Sequence, residues 1–235
     1  MTLARLTDVQ RWILPAAAVV FGLLGVGAIA GLLVWDEPIT NWVVDSRNDT
    51  LDGLFRDLSS FGSTKIVILV SAIAALLAAK RCPRLALAIV AIALARPATE
   101  FLLKELVSRD RPIGDRLVGG EGYSFPSGHP FATVASWGTL PLVAALYTKR
   151  RAVWWAIAVT VWTLVVLVAM SRVWLGVHWA SDVVASLALG VIGVAIAERF
   201  IVRDECECAR WSGDGTQADD VGTDAVDRPV LETTS

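Results

Sequence analysis

His129 and His178 are the only two histidines in the 235-residue chain, and each lies in a short polar stretch with basic or acidic residues close by. Three such stretches carry the side chains that could do chemistry. The first is Lys104-Glu-Leu-Val-Ser-Arg-Asp-Arg111-Pro112, a basic run whose cations suit an anion. Arg96, Glu100 and Lys104 precede or open it at intervals of four, which puts them on one helix face with Glu100 able to pair with either neighbour and position Lys104. The second is Tyr123-Ser-Phe-Pro126-Ser127-Gly128-His129-Pro130. Here Ser127 or Gly128 can cap a helix, Pro130 suits its first turn, and the free N–H groups of the helix start form an anion site. The third is Ser171-Arg172-Val-Trp-Leu-Gly-Val-His178-Trp-Ala-Ser-Asp182. If His178 and Asp182 share a helix, the carboxylate can accept from one ring nitrogen and leave the other free as a base or nucleophile. Each stretch also has a plainer reading taken alone: an interfacial basic anchor, an ordinary Pro-Ser-Gly turn, and a helix-starting ion pair.

The elements that must position these residues are membrane helices. Apolar residues make up 55% of the chain and charged residues 19%, and the apolar residues fall in long blocks. A span needs roughly 20 apolar residues to cross a hydrocarbon core about 30 Å thick. The blocks predict an all-α, six-transmembrane-helix bundle forming one domain over 1–203. Its spans lie at about 13–35, 62–80, 85–104, 130–148, 152–171 and 179–200. An acidic, polar tail over 204–235 has little to bury and is expected to be disordered and cytoplasmic.

Loop charges orient the bundle. Arg5 and Arg11, then Lys80, Arg81 and Arg84, then Lys149, Arg150 and Arg151 mark cytoplasmic ends, so both termini are expected inside. Trp12, Trp154 and Trp155 suit the inner interface and Trp35, Trp174 and Trp179 the outer one, while Trp137 and Trp162 sit mid-span as packing residues. Lys104, Arg109, Arg111, Arg116 and Arg172 then lie on the outer side, against the rule, and need a reason. A cleaved signal peptide ending near Ala28 or Ala30 is the competing reading of the first block, but apolar sequence continues to Trp35. Leu51, Leu54, Phe55, Leu58 and Phe61 have helical spacing and predict either a helix lying on the membrane surface or a short packed helix. Cys82, Cys206 and Cys208 are expected as free thiols in a reducing compartment, and no Cys-based metal site is supported.

Together the three stretches read K-x6-R-P, P-S-G-H and S-R-x5-H-x3-D, in that order. This pattern resembles the type 2 phosphatidic acid phosphatase family, whose site is shared with vanadium-dependent haloperoxidases and glucose-6-phosphatase. The resemblance covers roughly residues 85–200, and Pro130 departs from the small residue that more often follows the histidine. It implies an integral membrane lipid phosphatase of the plasma membrane, with the active site facing outside. Lys104, Arg111, Ser127, Gly128 and Arg172 would bind the phosphate. His178 would be the nucleophile, Asp182 its orienting carboxylate and His129 the general acid and base. A lipid phosphate or diphosphate is the expected partner, an undecaprenyl-type diphosphate first and phosphatidylglycerophosphate or phosphatidate next. No cofactor, metal or nucleic-acid partner is expected. A haloperoxidase and a catalytically silent scaffold or transporter are the rival readings.

Overall fold

The computed structural model describes residues 3–199, with side chains from Trp12 onward. The expectations for Arg5, Arg11, Cys206, Cys208 and the tail lie outside these residues or side chains. The described residues form nine helices and no strand: α1 (Leu3–Ile29), α2 (Asp36–Asp45), α3 (Asp49–Ser60), α4 (Thr64–Ala79), α5 (Pro83–Val107), α6 (Gly128–Trp137), α7 (Leu140–Tyr147), α8 (Arg151–Trp174) and α9 (Ala180–Glu198). Five stretches are long and apolar enough to cross a membrane, α6 and α7 counting as one, and a sixth is added if α3 and α4 form one bent span.

Three of the spans depart from one unbroken helix of the expected length, each for a local reason. α1 ends at Ile29 rather than running to Trp35, because Gly31 adopts φ +67° and the Leu32 N–H reaches back to the Gly27 carbonyl. That is the left-handed helix stop that glycine favours. At 16 residues α4 is only about 24 Å long and falls short of the hydrocarbon core. It is extended by α3 across a 44° bend at Phe61–Ser63. α6 breaks from α7 at Gly138 and Thr139, since Pro141 has no N–H to continue the ladder. The Ser136 and Thr139 hydroxyls turn inward to the Ala132 and Ser136 carbonyls there.

α6 is the central element, packed against α4, α5, α8 and α9, while α1 lies on the outside against α9. Val134 of α6 meets Val161 and Val165 of α8 in one core cluster. Ala74 and Ala78 of α4, Leu85 and Ile89 of α5 and Leu146 of α7 form a second cluster towards the end of the bundle that carries Arg81. There the Arg81 guanidinium lies 4.7 Å from the Tyr147 ring centre and bonds the Leu146 carbonyl.

α3 is a packed helix: Phe55 stacks on Trp174 of α8 and Trp174 Nε1 donates to Asp52, although Leu54 remains half exposed. Trp137 donates to the Phe61 carbonyl. Trp162 was expected to pack mid-span but is 36% exposed on the outer surface of α8. Cys82, expected as a thiol in a cytoplasmic turn, is fully buried.

Close approach of α6 and α9 depends on Gly190, where an added Cβ would lie 2.4 Å from Val134 Cβ. Gly190→Ala is therefore expected to lower stability by about 1–3 kcal/mol through overpacking. Thermal unfolding in detergent measures this, and an unchanged midpoint would contradict it.

Candidate active site

All three polar stretches meet at one end of the bundle, the C-terminal ends of α5 and α8 and the N-terminal ends of α6 and α9. On α5, Glu100 bonds both neighbours on its helix face. Its Oε2 accepts from Arg96 at 2.9 Å and its Oε1 from Lys104 at 2.8 Å. One turn later the helix stops at Ser108, which takes a left-handed conformation and bonds the Lys104 carbonyl through its N–H. The chain then forms the loop that carries Arg109 and Arg111.

That loop folds back on itself, with the Ser124 N–H bonded to the Arg109 carbonyl and the Ser124 hydroxyl to that of Asp110. Phe125 is fully buried and packs on Phe21 of α1 at 6.0 Å between ring centres. This anchors Ser127 in extended conformation as the residue before α6, so Gly128 and His129 open the helix. His129 is half-buried.

His178 is buried just before α9. Its Nδ1 lies 2.8 Å from the Ser124 carbonyl and its Nε2 lies 3.2 Å from Arg111 Nη1. A carbonyl can only accept, so Nδ1 carries the proton and Nε2 holds the lone pair. The shared-helix expectation for His178 and Asp182 is corrected here. Trp179 is the extended N-cap of α9, which leaves His178 outside the helix. Asp182 Oδ2 stands 3.7 Å from His178 Nδ1, too far for a hydrogen bond, and instead accepts from the Trp179 N–H. Asp182 therefore acts on the ring through its charge, while the Ser124 carbonyl sets the tautomer.

Arg111 is buried and uses every N–H. Nε donates to the Gly122 carbonyl, Nη2 to those of Glu121 and Tyr123, and Nη1 to that of Val177 as well as to His178. Burial, followed by the charge of Arg116, lowers its pKa below the ordinary guanidinium value. Arg172 is buried on α8 and donates from Nη1 to Ser59 of α3 at 2.6 Å. Among the described residues only three buried side-chain polar atoms lack a hydrogen-bond partner: Thr40 Oγ1, Ser127 Oγ and Arg172 Nε. Two of the three belong to the polar stretches. Arg172, His178, Arg96 and Lys104 all lie within electrostatic reach of His129. An orphaned buried donor costs about 1–3 kcal/mol, so the pair marks a place for an acceptor.

Several partners were not assigned from sequence. Asp36, at the start of α2 and 2% exposed, accepts from Arg109 at 2.7 Å and from the Ser181 N–H and hydroxyl. Arg109 also pairs with Asp182 at 2.6 Å. Arg47 donates to the Trp174 carbonyl at the end of α8 and to that of Asp115 in the loop. Arg109 gave a signal, since it lies among the cations that break the loop-charge rule. Asp36, Arg47 and Ser59 gave none, because their spacing from the motifs is too long to imply contact, and Ser124, although inside the second stretch, gave no sign that its carbonyl meets His178.

No group of three or more His, Cys, Asp or Glu able to hold a metal ion occurs among the described residues. Beside the site an apolar cavity of about 400 Å³ runs between α4, α5 and α6, with Arg96 and Pro97 in its lining together with Val67, Ile68, Val90 and Leu94.

Two measurements test this arrangement. Asp36→Ala removes one partner from a buried charge network and is expected to cost about 3–5 kcal/mol, read by unfolding in detergent. Burial holds the His178 pKa down at about 4, against the opposing pull of Asp182. Between pH 6.5 and about 4 the unfolded chain then binds more protons at this position. The contribution of a neutral His178 is present above that window and is lost as pH falls through it. His178→Gln should accordingly lose less thermal stability than wild type on acidification from neutral pH, and equal losses would count against a buried neutral ring.

The PAP2 superfamily profile matches residues 84–204. Phosphatidylglycerophosphatase B of Bacillus subtilis is 31% identical over 103 residues, 42% of this chain, and the chain spans only about half (49%) of that relative. Decaprenylphosphoryl-5-phosphoribose phosphatase of Mycobacterium tuberculosis is 35% identical over 147 residues, 61% of this chain and 76% of the relative. In fold, the chain is similar to the crystal structure of the PAP2-type phosphatidylglycerolphosphate phosphatase of B. subtilis, with TM-score 0.66 and 23% identity over 77% of this chain and 94% of the other. It is also similar to Aquifex aeolicus LpxE, with TM-score 0.57 and 19% identity over 71% and 96%. With three polar stretches brought to one end of the bundle and a family match across the helices that carry them, the chain belongs to the PAP2 superfamily.

Proposed function

We propose that the chain is an integral membrane phosphatase that removes phosphate from a lipid phosphate or diphosphate. The observation that carries this reading is that Ser127 Oγ, at the N-cap of α6, and Arg172 Nε, in the last turn of α8 and within electrostatic reach of His129, are both buried and unpartnered. A phosphate supplies the acceptors both lack. Lys104 and Arg111 add two more cations, and Arg with Lys provide planar and point-charge contacts to its oxygens.

In the proposed mechanism the His178 Nε2 lone pair attacks phosphorus in line with the leaving oxygen. The bond from phosphorus to that oxygen breaks, its electron pair stays with oxygen, and His129 supplies a proton. Water then attacks the phosphohistidine, His129 takes its proton, and the P–N bond breaks to release phosphate and restore His178. Arg111 Nη1, which occupies Nε2 before substrate binds, transfers its hydrogen bond to a phosphate oxygen as attack begins. Charge on the equatorial oxygens is stabilised by fixed cations, the main requirement of phosphoryl transfer.

A lipid is favoured because the pocket lies at the headgroup end of membrane-length helices and opens beside an apolar cavity suited to a hydrocarbon chain. The cationic turns at Lys80–Arg84 and Lys149–Arg151 occupy the opposite end of the bundle. By the positive-inside rule the pocket faces outward from the plasma membrane, with the termini inside. Among lipid substrates, polyprenyl carriers of the undecaprenyl type come first, supported by the relative that acts on a decaprenylphosphoryl compound. Phosphatidylglycerophosphate, named by the other curated relative, comes next, then phosphatidate.

The test is phosphate release in detergent from undecaprenyl diphosphate, decaprenylphosphoryl-5-phosphoribose, phosphatidylglycerophosphate, phosphatidate and a soluble sugar phosphate. Wild type is expected to turn over at least one lipid and to keep its activity with a chelator. His129→Ala should lose about 10²–10⁴-fold. His178→Ala should lose turnover and its acid-quenched phosphoenzyme. A wild type inert on every lipid, or an active His178→Ala, overturns the proposal.

A further inference from the structure

Glu100 is the one carboxylate on the Lys104 face of α5, and to the pairing that its spacing suggested the structure adds a contact with α6 that spacing does not show. Both of its oxygens are taken, one by Arg96 and one by Lys104. The carboxylate also lies against the entry to α6. A Cβ added at Gly128 would fall 2.3 Å from Oε1, 2.7 Å from Cδ and 2.8 Å from Oε2. The volume that any larger residue would need at position 128 is already filled by Glu100. All three members of the ladder are mostly buried, with side-chain exposures of 13% for Arg96, 19% for Glu100 and 21% for Lys104.

We infer that Glu100 is a positioning residue that locks Lys104 of α5 to the Ser127–Gly128 entry of α6, with Arg96 as the counter-ion that fixes its second oxygen. The inference rests on the phosphatase reading above and concerns the same site. Lysine is a flexible point charge with three donors, and free of Glu100 it would sample many rotamers. Glu100 takes one donor and leaves two for phosphate, so the ammonium is held by a carboxylate that itself abuts Gly128 at the start of α6. Held this way, binding phosphate need not order a lysine side chain, which is the usual gain from a preformed site. Arg96 holds the second carboxylate oxygen and prevents the group from turning away.

The sign of one effect separates positioning from simple charge. A carboxylate this near the pocket repels an incoming anion, so if charge were its only effect, removing it would tighten anion binding. Positioning gives the opposite sign. The full chain in detergent is assayed with dioctanoyl phosphatidate and with orthovanadate as a phosphate-like inhibitor. Glu100→Gln is expected to lower kcat/KM about tenfold, mainly through KM, and to weaken vanadate inhibition to a similar degree. Glu100→Asp, which keeps the charge but shortens the reach, should fall between. In a Lys104→Ala background the added loss from Glu100→Gln should nearly vanish, because there is no ammonium left to position.

Tighter vanadate inhibition by Glu100→Gln, wild-type kinetics, or losses that multiply with Lys104→Ala would each overturn the inference while leaving the phosphatase reading intact. If Glu100→Gln fails to fold and Glu100→Asp matches wild type in KM and vanadate inhibition, the role is structural and the inference is also overturned. A wild type that releases no phosphate from any lipid phosphate overturns the phosphatase reading and this inference together.

Discussion

One buried guanidinium, that of Arg111, ties the two halves of the pocket to each other. Its five N–H groups meet four backbone carbonyls and one imidazole nitrogen, so the loop before α6 and the turn before α9 are held by a single rigid fork. The planar geometry matters as much as the charge, since a lysine here could reach only three of those five acceptors and would impose no relative angle. Arg109 extends the same logic outward to Asp36 and Asp182, bringing the short helix α2 into the structure of the pocket. Arg47 completes it by holding the end of α8 to the loop at Asp115. Three arginines thus do the work that regular secondary structure does elsewhere, at the point where helices end and backbone carbonyls have no helical partner.

Cations at this depth also need somewhere to put their charge. Arg109 has two carboxylates and Arg96 and Lys104 share one, whereas Arg172 has only a serine hydroxyl and an unpartnered Nε. Arg172, like Arg111, is therefore left without a carboxylate hydrogen-bond partner. An anion seated there would remove this imbalance.

Much of this was legible from residue spacing. The Arg96, Glu100 and Lys104 interval of four survives in the structure because α5 runs unbroken through Pro97. The helix start at Ser127 and Gly128 was readable from capping chemistry and the following proline. What misled was the other interval of four, from His178 to Asp182. Such spacing implies a shared face only inside a helix, and Trp179 in extended conformation breaks that condition. A capping pattern with Asp three residues after the N-cap was the signal to look for. Span one was read too long because apolar sequence continues past Gly31, although that glycine stops the helix. The contributions of Ser59, Asp36, Arg47 and Ser124 were beyond reach, since pairing between distant segments has no local signature.

The central position of α6 and α7 bears on how the protein is made. Their span has the lowest mean hydropathy of the five, 1.2 against 2.2 for α1, yet 67% of its window is buried, the largest share. Its polar groups, such as Ser136 and Thr139, find partners within the helix itself. The segment emerging from the ribosome is therefore the one least able to partition into lipid unaided and the one most dependent on neighbours. α4 and α5 precede it in synthesis and α8 and α9 follow it. Biogenesis thus favours a staged order in which an early helical hairpin shelters the α6–α7 span until the last two helices close around it.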